Sequence, residues 1–168
     1  MNHNNFQSVG IIDGRKLSEG DALIGLASGI HPNSLSLAGK LDMNTALPET
    51  SRSYDKAVTA LLNHDIAICG IGHITGSLYE HVPPMMPAGL TAQIILHRLS
   101  HLPVFELIQK TGNLSDRDMY RTFNMGIGMI LVVPADQATQ ALTILKDAGE
   151  DACRIGMVVH GDEGVVLV

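Results

Sequence analysis

Residues 118–134 read D-M-Y-R-T-F-N-M-G-I-G-M-I-L-V-V-P, and this string constrains the fold more than any other in the chain. It opens as a short polar helix, passes Gly126 and Gly128, and becomes an unbroken apolar run from Met129 to Val133. A run of that length without alternation is a strand buried on both faces, so a layer must cover each side of it. The two glycines let backbone approach backbone, or a ligand, where the strand begins.

Similar punctuation recurs along the chain. Ser8–Ile12, Ala22–Ala27, Ile66–Ile71, Thr91–Leu96, Ala152–Val159 and Val165–Val168 read as further strands. Helices are expected from Asn33 or Ser34 to Leu41, over Tyr54–Leu62 (apolar at Ala57, Val58, Leu61 and Leu62), after Ser77 to His81, and over Val104–Lys110. Another starts at Ser115, with Asp118 three residues on as a capping box. Ala138, Ala141, Leu142 and Leu145 form a helical stripe that Gly149 ends. His160–Gly164 carries a hairpin signal, so the last two strands are expected to pair. The pattern predicts an α/β (α+β) fold with helices packed on a mixed six-stranded sheet, and residues 1–168 as a single domain.

Net charge is −6 with only 11 Lys plus Arg, which argues against nucleic acid or an anionic membrane as the main partner. No apolar run reaches the length of a membrane span. Residues 1–7 lack the layout of a signal peptide, so a cytoplasmic location is expected, with Cys69 and Cys153 as buried, reduced thiols.

Three loops carry the candidate chemistry: Gly29–Ser34, Gly72–Ser77 and Asn124–Gly128. Each sets glycines among Asn, Ser, Thr or His, and runs of backbone N–H in such turns bind phosphate without a lysine. His31 and His73 can donate to a phosphate oxygen or shuttle a proton near neutral pH. His97 and His101 have the spacing of two ligands on one helix turn but no intervening Glu, so no metal site is expected. Gly70–Gly76 misses the dinucleotide fingerprint by one position, and there is no P-loop and no nucleophile elbow.

Three strings carry a family resemblance: I-I-D-G-R-K-L-S-E-G-D-A-L-I-G-L-A-S (11–28), G-H-I-T-G (72–76) and G-N-L-S-D-R-D-M-Y-R-T-F-N-M-G-I-G-M (112–129). Together they resemble the C-terminal domain of phosphoribosylformylglycinamidine cyclo-ligase, the aminoimidazole ribonucleotide synthetase family. The resemblance implies a three-layer α/β/α sandwich. It implies ring closure in purine biosynthesis, with ATP and Mg2+ held mainly by an N-terminal domain outside the matched region. It places Ser28, Gly29, Asn33, Thr75, Gly76, Asn124 and Gly126 at a substrate or phosphate site, with His31 and His73 as catalytic candidates. Implied partners are a phosphorylated ribonucleotide, a separate ATP-binding domain and a second copy of the chain.

Two loops depart from the family pattern. The first is one serine short and has Ser34 where a glycine is usual; the second reads Thr75-Gly76-Ser77 in place of a longer glycine run. Fewer glycines present fewer backbone N–H groups. A second reading therefore stays open: a non-catalytic relative or interaction module that keeps the fold.

Overall fold

Six strands form one sheet in the order β2-β4-β1-β5-β3-β6 in the computed structural model, which describes residues 14–28, 53–98 and 103–168. The strands are β1 (Ala22–Ala27), β2 (Gly70–His73), β3 (Leu90–Ile94), β4 (Ile127–Val133), β5 (Ala152–His160) and β6 (Val165–Leu167). The helices are α1 (Asp55–Asn63), α2 (Leu78–His81), α3 (Pro103–Gly112), α4 (Asp116–Thr122) and α5 (Ala138–Asp147). The expected strand at Ser8–Ile12 and the expected helix through Leu41 lie outside the described residues.

The sheet is mixed: β3 and β6 run parallel, and every other neighbouring pair is antiparallel. Its two faces carry separate cores. Ala22, Ile24, Leu26, Leu131 and Val133 pack under Ala57 and Leu61 of α1 and Ala138, Ala141 and Leu145 of α5. Leu23, Ile130, Val132, Ile94 and Val158 pack under Leu78 of α2, Phe105 and Ile108 of α3, and Met119 and Tyr120 of α4. This is the three-layer sandwich, and it explains why β1 and β4 are apolar at successive residues. A fully buried leucine such as Leu145 contributes roughly 1.5–3 kcal/mol through the apolar area it removes from water.

Two expectations need correction. The last two strands do not form a hairpin. β3 lies between them, with Ala92 opposite Val158 on one side and Val165 on the other. The chain does reverse direction at 160–164. The connection then spans two inter-strand spacings, about 10 Å, and is tied to the start of β3 by Gly161 N–H donating to the Gly89 carbonyl at 3.0 Å. The strand expected over Ile66–Ile71 begins only at Gly70. Before it, the Ala67 N–H donates to Gln137 Oε1 at 2.8 Å, and Cys69 N–H reaches the Val132 carbonyl of β4 at 2.8 Å, so the segment is tied partly to a side chain before the ladder begins.

Candidate functional site

Ser28 follows the C-terminal end of β1, the second loop leaves the C-terminal end of β2, and the third enters the N-terminal end of β4. Because β4 is antiparallel to both of its neighbours, Ser28, the second loop and the third loop meet at one end of the sheet.

The third loop is fixed by backbone geometry. The box of Ser115 and Asp118 caps α4, and Phe123 closes it by donating its N–H to the Met119 carbonyl at 2.9 Å. Asn124–Ile127 is then a tight turn, closed by Ile127 N–H on the Asn124 carbonyl at 3.0 Å. Both central residues are left-handed, Met125 at φ 50° and Gly126 at φ 85°. A non-glycine residue there costs about 1–2 kcal/mol, offset here by burial of Met125. Next, Leu26 pairs with Met129 but Ala27 pairs with Ile127, so Gly128 is the extra residue of a β-bulge. The bulge reverses the facing of the strand: Ile127 enters one core and Met129 packs on the other.

Gly128 sits under a crowded contact. A Cβ there would overlap the Tyr54 hydroxyl and come within 2.5 Å of Ser28 Cβ. Tyr54 precedes α1 and reaches across to donate its hydroxyl to the Ala27 carbonyl at 3.2 Å. Ser28 is held twice, by its N–H on the Gly126 carbonyl at 2.9 Å and by Asn124 Nδ2 donating to its Oγ at 2.8 Å. Asn124 also donates to the Ile127 carbonyl at 3.0 Å. Asn124 is 1% exposed, and its Oδ1 has no hydrogen-bond partner among the described residues. In this geometry Asn124 and Gly126 are buried and set the position of Ser28.

The second loop docks on the third through Ile74 N–H to the Gly128 carbonyl at 2.9 Å. His73, at the end of β2, is exposed, and its ring stands edge-on to Tyr54 with centroids 6.4 Å apart. Beyond it, His81 brackets the turn. Its Nδ1 lies 3.0 Å from the Ser77 carbonyl, which can only accept, so Nδ1 carries a proton. In the neutral ring, Nε2 then accepts from Thr75 Oγ1 at 2.8 Å. Ser77 caps α2 by accepting from Glu80 N–H at 3.2 Å. Thr75 and Gly76 are half-buried in this turn, and a Cβ on Gly76 would meet His81 Cε1 at 2.8 Å.

The structure therefore brings together Ser28, His73, Asn124 and Gly126, with Thr75 and Gly76 in the adjoining turn. His31, Gly29 and Asn33 lie outside the described residues. Sequence reasoning missed Tyr54 and His81 as parts of this end. An aromatic residue just before α1, where a small polar cap is usual, was one available signal. The spacing of Ser77 and His81 across one helical turn was the other.

Burial, and after it the Asp116 carboxylate, pushes the Tyr120 phenol up, so it stays protonated. Burial first and Asp21 second push the Cys69 thiol up; burial and Asp151 do the same for Cys153, which is only partly buried. Neither thiol is poised as a nucleophile. No group of three or more His, Cys, Asp or Glu placed to hold a metal occurs among the described residues, where His97 lies in a 3-10 turn. The donors gathered here are hydroxyls, an amide and imidazoles. They do not match the carboxylate and phosphate oxygens that magnesium selects, nor is there a lysine to cradle a triphosphate. No helix of the described residues is long and apolar enough to cross a membrane.

Comparison with known proteins places these features. The profile of "AIR synthase related protein, C-terminal domain" matches residues 18–168. Phosphoribosylformylglycinamidine cyclo-ligase of Burkholderia mallei (strain SAVP1) is 40% identical over 171 residues, covering 92% of this chain and 48% of the relative. The enzyme of the same name from Caldicellulosiruptor saccharolyticus is 40% identical over 177 residues, covering 93% and 52%. The chain thus spans about half the length of the curated relatives it matches. Among solved structures, E. coli HypE, a hydrogenase maturation protein, superposes with a TM-score of 0.69 at 21% identity, covering 92% of this chain and 48% of that one. Thiamine-monophosphate kinase from Stenotrophomonas maltophilia K279a gives 0.56 at 14%, covering 92% and 52%. These two likenesses are likenesses of fold.

Proposed function

The chain belongs to the family of AIR synthase related proteins, as their C-terminal domain, and from that premise we propose that it is the substrate-binding half of a phosphoribosylformylglycinamidine cyclo-ligase. One observation carries the reading beyond family membership: Ser28 at the end of β1 and two glycine-bearing loops are knitted into one sheet end by Asn124 on Ser28 and by Ile74 on Gly128. Ser28, Thr75 and the backbone of Gly76 would take the phosphate and ribose of the ribonucleotide. His73, exposed beside them, would donate to or exchange a proton with the reacting end. Asn124, Gly126 and Tyr54 are positioning residues that act through Ser28. His31, Gly29 and Asn33 are proposed to complete the site.

ATP and magnesium enter this reading through the family alone. Since the described residues do not fit them, their contacts are assigned to the half of the relatives that this chain does not match. The chain would then work in the cytoplasm, as one domain, against such an ATP-binding half, and self-associate through surface that half would otherwise cover. The test is to co-express the chain with the unmatched half of the Burkholderia relative and measure ATP-dependent ring closure of formylglycinamidine ribonucleotide. The expected result is a stable complex with turnover that falls at least tenfold in His73→Ala. No complex and no turnover, together with no calorimetric binding of the ribonucleotide to the folded chain, would overturn it and favour the non-catalytic reading.

A further inference from the structure

A cleft of about 700 Å³ opens between α5, the first residues of β5 and the turn that follows β3. We propose that it is a second small-molecule site, for a phosphate monoester whose remainder carries hydroxyl groups. The inference is independent of the reading given above for the three loops.

Charge placement is the first argument. Arg98, Lys146 and Arg154 line this one cleft, three of only 11 Lys plus Arg in a chain of net charge −6. None of the three makes an ion pair among the described residues, whereas Lys110, outside the cleft, lies 3.9 Å from Glu106. Arg98 is not loose. Its Nη1 donates to the Arg154 carbonyl and Arg154 Nε donates to the Gly156 carbonyl, both at 3.4 Å. Each guanidinium has five N–H groups, so this anchoring leaves donors free to converge on one anion.

The rest of the lining differs in chemistry. Asp151 and Glu150 bring carboxylates to the same cleft. Asp151 is exposed, its backbone is anchored by Ala27 N–H donating to its carbonyl at 2.8 Å, and its side chain lines the same cleft. A carboxylate sharing a cleft with cations disfavours a small polyanion but accepts hydroxyl hydrogens, as acidic residues do with sugar hydroxyls. Thr139 and Thr143, one helical turn apart on α5, add hydroxyls, and Thr143 is oriented by donating to the Thr139 carbonyl at 3.1 Å. Leu142, Ala152 and Cys153 make the apolar part of the lining, and burial pushes the Cys153 thiol up so that it stays protonated and adds no competing charge. The volume lies within the roughly 300–1,000 Å³ usual for small-ligand sites.

The probe is glucose 6-phosphate, titrated calorimetrically into the chain, with glucose and inorganic phosphate in parallel and circular dichroism on each variant. Saturable one-to-one binding is expected, tighter than for inorganic phosphate, with none for glucose. Arg98→Gln and Arg154→Gln should each weaken it about tenfold, as loss of a charge-assisted contact does. Asp151→Asn should weaken it less, and Ser28→Ala and His73→Ala should leave it unchanged. No saturable binding overturns the proposal. So does equal weakening by Lys110→Gln, which lies outside the cleft, since that marks non-specific charge. Loss of binding in Ser28→Ala or His73→Ala overturns it by assigning the anion to the three-loop end. Equal affinity for inorganic phosphate overturns the hydroxyl-bearing class.

Discussion

The second and third loops meet through a single backbone hydrogen bond, Ile74 N–H to the Gly128 carbonyl, yet they are held by different physics. The third is fixed by excluded volume and backbone dihedrals: two left-handed residues, a bulge, and a glycine with Tyr54 and Ser28 pressed against it. The second is fixed by side-chain hydrogen bonds, Thr75 on His81 and His81 on Ser77, in a turn that is half exposed. Steric constraints of the first kind fail all at once. Hydrogen bonds of the second kind are exchanged with water at a net cost of about 1 kcal/mol each. The third loop is therefore a rigid platform, and the second is the adjustable part of this sheet end.

The largest expected effect breaks the platform. Gly128→Ala should destabilise the fold by about 3 kcal/mol, because the new methyl has to displace Tyr54 and Ser28 in a close-packed site. For a chain of this size, that lowers the melting temperature by about 10 °C. Adding Tyr54→Phe removes the hydroxyl that the methyl would strike, at the cost of its bond to Ala27. The double variant should recover part of the loss, a coupling that independent sites do not show. Strict additivity in thermal melts would mean that Tyr54 does not lie across Gly128.

The intermediate effect tests the adjustable loop. Thr75→Val removes the hydroxyl that His81 accepts from while keeping the shape. Stability should fall by about 1 kcal/mol or less, since both groups can turn to water. Amide hydrogen exchange at Thr75 and Gly76 should accelerate, while exchange at Ile127 should not. Equal acceleration at both would show that the two loops open as one unit and would end the contrast.

The rigid loop was the more legible of the two in the sequence, and for a physical reason. Its constraints are local: glycines at fixed positions, a capping box and an apolar run all lie within 20 or so residues. The layers also followed from local pattern, because β1 and β4 are apolar without alternation and therefore need cover on both faces. What could not be read was non-local. The final turn showed that the chain reverses but not that β3 lies between the two strands it joins. The bulge at Gly128 is a property of pairing with β1, so the string Ile127-Gly128-Met129 alone does not reveal that Ile127 and Met129 face opposite cores. Tyr54 reaches the site from a helix start more than 70 residues earlier in the chain. His81 looked like the end of a short helix until the turn closed on it.

The smallest expected effect tests whether the platform depends on the helix that leads into it. Asp118 accepts from the Ser115 hydroxyl and N–H, and these bonds hold its carboxyl below the usual carboxylate range. Its ionised form is thus favoured in the folded chain. The contribution is fully present above the unfolded value of about 3.9 and is lost as pH falls through the lower folded value. In that window the unfolded chain binds more protons, so stability rises with pH. Ser115→Ala removes the box, and the stability gap between wild type and variant in urea melts should be measurable at pH 7 and narrower at pH 3. A gap that stays constant would mean the carboxylate takes no part. The cap is fully exposed, while Asn124, Gly126 and Gly128 are held downstream by their own turn and bulge. Ser115→Ala should therefore leave hydrogen exchange at Ile127 unchanged at pH 7. Faster exchange there would show that the turn takes its rigidity from α4 and not from the glycines packed against Tyr54 and Ser28.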